Sequence, residues 1–111
     1  MARAPRTVVE TQAFIASAKG VLSDDERAET VDFIARNPRA GVLLAGGIRK
    51  VRIAREGSGK RGGYRVVFFF GGGELPVFLL AAFAKNEKAN LSKGELADLV
   101  RFCKETILER R

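Results

Sequence analysis

The chain contains no histidine and no tryptophan, and only one cysteine, one tyrosine and one methionine among 111 residues. Histidine is the side chain that most often shuttles protons near neutral pH and most often ligates transition metals. Without it, acid–base chemistry falls to lysine, arginine, tyrosine or carboxylates, and no metal or organic cofactor is expected. The lone Cys103 excludes an internal disulfide framework. No run of about 18 apolar residues occurs, which argues against a membrane span. Arg3 and Arg6 are followed by the polar Glu10 and Gln12 rather than by an apolar stretch, so no signal peptide is expected and the chain reads as cytoplasmic.

What is present suits one folded domain. A chain of this length buries one core, and a single domain over 1–111 is expected. The apolar share of 46% and eight phenylalanines supply that core, giving no reason to expect disorder. The net charge of +7 is unevenly spread. Residues 46–73 alone carry +6, whereas 23–45 are net acidic. Charge concentrated this way points to a phosphate backbone or another polyanion as partner.

Hydrophobic periodicity and capping signals predict an α+β order. Thr7 to Thr11 reads as a short strand, and Phe14, Ile15 and Ala18 then recur at helical spacing until Gly20. Ser23 and Glu26 form a capping box. A helix with the stripe Ala28, Val31, Ile34 and Ala35 follows, leaving Phe33 off the stripe, and Asn37-Pro38 stops it. Residues 40–47 read as a connector. Ile48 to Ala54 alternates as a strand, with Arg49, Val51 and Ile53 on one side and Lys50 and Arg52 on the other. A glycine-rich basic loop leads into the apolar strand Tyr64 to Phe70, Gly71-Gly72-Gly73 turns the chain, and Val77 to Phe83 forms a third strand. Apolar residues on both faces mark these last two strands as central. Ser92 with Glu95 caps a terminal helix whose stripe is Leu96, Leu99, Val100, Cys103 and Ile107. The expected fold is a compact antiparallel meander with two N-terminal helices and a C-terminal helix packed on it.

The candidate chemistry lies on the first hairpin of that meander. Lys50, Arg52, Arg55, Lys60, Arg61 and Arg65 converge there, and an antiparallel register brings Lys85 toward Arg65. Arginine grips phosphate in a bidentate manner and lysine acts as a mobile point charge. Composition alone weighs a solvated basic hairpin equally. Arg65 is the sharpest signal, because it interrupts an apolar strand where an unpartnered charge is costly. Alternation puts Tyr64 on the opposite face, so it reads as core. The Gly57-Ser58-Gly59-Lys60 run lacks the spacing and following helix of a P-loop. Cys103 reads as a small core residue rather than a nucleophile.

The segments 47–54, 57–66 and 83–87, continuing through Ala89-Asn90-Leu91-Ser92 and Glu95, resemble the RelE/HigB toxins of bacterial type II toxin–antitoxin systems, in the RelE/ParE superfamily. That resemblance implies a RelE-like fold and a metal-independent endoribonuclease, an mRNA interferase. Such a toxin cuts mRNA in the ribosomal A site, is held inactive by a cognate antitoxin, and meets operator DNA only through the antitoxin complex. It further implies that Arg65 and Lys85 stabilise charge at the scissile phosphate and that Lys50 or Lys60 transfers a proton, with Arg49, Arg52, Arg55 and Arg61 binding RNA. A lysine accepts a proton only in its neutral form, which a crowd of cations favours. Some family members carry a C-terminal tyrosine that stacks on the mRNA; here no tyrosine follows Tyr64, and Phe102 is the aromatic of the last helix. Two other functions share these features: a ParE-like inhibitor of DNA gyrase, and a non-catalytic RNA-binding module.

Overall fold

A computed structural model describes residues 4–54, 63–84 and 91–108. The order is β1 (Val8–Glu10), α1 (Gln12–Ala18), α2 (Asp24–Arg36), β2 (Val42–Ala45), β3 (Ile48–Ile53), β4 (Tyr64–Phe69), β5 (Val77–Ala84) and α3 (Lys93–Phe102), which a π-helical segment, Cys103–Leu108, continues. The strands form one mixed sheet ordered β1-β5-β4-β3-β2. The α+β class and the antiparallel β3-β4-β5 meander are as expected. Two strands extend it. The connector proves to contain β2, paired antiparallel to β3, and β1 pairs in parallel with β5, placing Val8 beside Val77.

Local chemistry accounts for each element. Thr11 caps α1 by accepting from the Phe14 N–H, and its hydroxyl donates to the Leu79 carbonyl of β5. Ser23 and Ser92 both form complete capping boxes, with Glu26 and Glu95 reaching back to their N–H groups. Gly46 and Gly47 both adopt positive φ, as a two-residue hairpin turn between β2 and β3 requires. Beyond the end of β1, the Ala82 N–H of β5 donates to Ser17 Oγ of α1, so a helix side chain satisfies a backbone donor that no strand reaches.

The sheet is covered on both faces. Toward α1 and α2, Phe14, Ile34, Val51, Val66, Phe68 and Leu79 form one buried cluster. Toward α3, Ile48, Val67, Phe69, Leu80, Cys103 and Ile107 form another. The pairing slips between Val67 and Phe68 of β4, where Ala81 and Leu79 oppose them and Leu80 is the extra residue. Leu80 and Ala81 thus both face α3, and alternation resumes from there. One expectation for α2 is corrected. Ala28 is exposed and Thr30 is buried in its stead, because Thr30 Oγ1 lies 2.8 Å from the Tyr64 hydroxyl and also donates to the Glu26 carbonyl. Among the described residues, no helix is long and apolar enough to cross a membrane.

Candidate functional site

The register of β3 against β4 sets side by side the cations that the sequence places on one hairpin. Arg52 sits directly opposite Arg65, and Lys50 opposite Val67. Directly paired residues of an antiparallel ladder share a face, with Cβ atoms about 4.5–5.5 Å apart. Lys50, Arg52 and Arg65 therefore share the face that bears Ile48, Val67 and Phe69. Arg52 is exposed, and Lys50 and Arg65 are half-buried. On its other side Arg65 pairs with Phe83 of β5, which is buried. Like charges set directly across a ladder destabilise it, and the Arg52–Arg65 pairing concentrates positive charge at this point of the sheet.

Arg49 does not join this patch. It points to the opposite face, where its guanidinium donates to the carbonyls of Arg39 at 2.8 Å, Ala40 at 3.1 Å and Gly41 at 3.4 Å. Three carbonyls on one planar fork pin the segment that leads into β2 against β3, a structural occupation for a residue expected to bind RNA. Arg55, Lys60, Arg61 and Lys85 lie outside the described residues.

The start of β4, which positions Arg65, is fixed by Tyr64, which the sequence reads as core, together with Thr30 and Gly63, whose roles it does not signal. Tyr64 is buried with its hydroxyl on Thr30, tying the strand to α2 and confirming that it faces away from Arg65. Gly63 leaves no room for a side chain, since a Cβ there would collide with the Ile53 carbonyl. A buried threonine in mid-helix carries no signal in a hydrophobic stripe, so Thr30 was not legible.

Cys103 is 1% exposed within the cluster beneath α3, and burial pushes its thiol up to about 11. A thiol held neutral is a core group, not a nucleophile. Among the described residues no cluster of three or more His, Cys, Asp or Glu is placed to hold a metal ion. What Lys50, Arg52 and Arg65 offer is charge: on one face, they can hold a polyanion and stabilise negative charge developing there. A family model described as the RelE toxin of the RelE / RelB toxin–antitoxin system matches residues 6–110. The chain belongs to the RelE toxin family and is a toxin of a toxin–antitoxin system, with an antitoxin as its cognate partner.

Proposed function

We propose that this toxin is a ribosome-dependent endoribonuclease that cuts translated mRNA without a metal and so inhibits translation. The observation that carries this reading is the register that sets Arg52 against Arg65, with Lys50 on the same face. The reaction requires the 2′-hydroxyl to lose its proton and attack the adjacent phosphate. The bond from phosphorus to the 5′ oxygen then breaks as that oxygen takes up a proton, leaving a 2′,3′-cyclic phosphate and a free 5′-hydroxyl. Arg65 and Lys85 stabilise charge on the phosphorane, Lys50 or Lys60 accepts the 2′ proton, and Arg52, Arg55 and Arg61 hold the flanking backbone. The toxin acts in the cytoplasm, at the ribosomal A site, where the translated message is threaded. Arg49 serves the strand rather than the RNA.

The deciding experiment is a cell-free translation reaction with wild type and Arg65→Ala, mapping mRNA 5′ ends by primer extension with and without ribosomes. New ends appearing only with wild type and translating ribosomes are the expected result, with cleavage by Arg65→Ala reduced about a hundredfold or more. Intact mRNA alongside inhibited DNA gyrase would replace this reading with a ParE-like one. Binding to RNA without cleavage or growth arrest would leave a non-catalytic module.

A further inference from the structure

A second concentration of positive charge lies on the opposite face of the sheet. Phe70, the buried residue that follows β4, carries the Arg6 guanidinium 4.8 Å from its ring centroid and that of Arg39 at 5.3 Å. With Phe33, Arg36 and Pro38 these residues line a concavity of about 540 Å3 at the C-terminal end of α2. No carboxylate is among its described lining residues. Arg6 donates to the Gly73 carbonyl at 2.7 Å, and Arg36 meets Asp32 at 3.1 Å in an exposed i,i+4 pair. The Arg39 guanidinium makes only its ring contact among the described residues. Phe33 is 40% exposed although it is a large apolar group.

An aromatic floor holds guanidinium planes by stacking and leaves their N–H edges directed outward, the arrangement that forks a carboxylate or phosphate in bidentate fashion. Two observations select between those anions. The walls are apolar as well as cationic, through Phe33, Phe70 and Pro38, which fits a side-chain anchor flanked by acids. The concavity also lies on the face turned away from Lys50, Arg52 and Arg65, so an RNA strand held on that patch does not continue into it. We propose that this concavity receives an acidic, amphipathic segment of the antitoxin, with an apolar side chain against Phe33 and carboxylates forked by Arg36 and Arg39. This rests on membership of the toxin family and not on the nuclease reading.

The test is calorimetric titration of the purified full-length toxin with its purified cognate antitoxin at low and raised NaCl. Wild type is compared with Arg39→Glu, Arg36→Glu and Phe33→Ala. Affinity is expected to fall about tenfold or more for each charge reversal, with the difference shrinking as salt rises, and severalfold for Phe33→Ala. An antitoxin variant with one acid changed to lysine should regain binding to Arg39→Glu, and translation inhibition by the free variants should match wild type. If Arg39→Glu fails to fold, Arg39→Lys keeps the charge without the fork and should bind with intermediate affinity. Unchanged antitoxin affinity in the folded arginine variants would overturn the proposal. So would intact antitoxin binding with weakened binding of a 20-nucleotide polyuridine probe, which would make the concavity a nucleic-acid contact. Because the titration reads binding alone, it stands even where wild type proves not to cleave mRNA.

Discussion

The two faces of the sheet are built from alternate residues of the same strands and differ in kind. On β4 the face toward α1 and α2 receives Tyr64, Val66 and Phe68, buried along the whole strand. The face toward α3 receives Arg65, Val67 and Phe69, with the last two buried beneath the terminal helix and the first half-buried. The helix passes close to the β2–β3 turn, where a Cβ on Gly46 would meet Val100, and the cations gather toward the other end of β3. Along β4, then, one face is core throughout, whereas the other is core at Val67 and Phe69 and charged at Arg65. Arg65 stands on this strand between Arg52 of β3 and Phe83 of β5, half-buried rather than enclosed.

The largest contrast should come from two residues of β4 that lie on opposite faces. Phe68→Ala removes a fully buried ring and is expected to cost about 3–5 kcal/mol of stability, a large share of what holds a small domain folded. Arg65→Ala, three positions earlier on the other face, should leave the melting temperature within a few degrees of wild type while removing mRNA cleavage. Thermal melts and primer extension on the two variants read both effects. Equal destabilisation by the two substitutions would mean that Arg65 is a structural cation and would remove the basis for the proposed site.

Much of this contrast was legible in the sequence. Alternation alone set Lys50 and Arg52 against Val51 and Ile53, and the Ser23–Glu26 and Ser92–Glu95 boxes located both longer helices. Other features were not. Residues 42–45 form a strand only because β3 offers them an edge, and the short Val42–Ala45 run sits among glycines that read as connector. The parallel pairing of β1 with β5 joins residues nearly 70 positions apart, beyond the reach of any local pattern. Arg49 and Arg52 look alike in sequence, but three nearby carbonyls occupy the first. The Arg6–Phe70–Arg39 stack likewise depends on contacts that periodicity does not encode.

A smaller effect should follow from the polar link across the first face. Tyr64→Phe keeps the buried ring and removes the hydroxyl bonded to Thr30. Leaving Thr30 with its Glu26 carbonyl contact, the change should cost about 1 kcal/mol in denaturant unfolding. Thr30→Val, which removes the other partner, should cost a similar amount, and the double variant should cost less than the two together. Additive losses would show that the hydroxyl pair contributes nothing as a pair to fixing the start of β4.

At neutral pH the smallest effect belongs to Cys103, and its sign depends on pH. Burial raises the folded-state thiol from 9.0 to about 11, so between those values the folded chain keeps a proton that the unfolded chain releases. Its contribution to stability is therefore fully present below about pH 9 and is lost as pH rises toward 11. Cys103→Ala removes that one titration, so the variant's stability should fall less steeply than wild type across the interval. The same burial predicts that a thiol reagent at pH 8 modifies the native chain slowly and the chain in denaturant rapidly. Fast modification of the native chain would mean that the α3 face opens readily, and that the apolar half of that face is held less firmly than the continuous core opposite it.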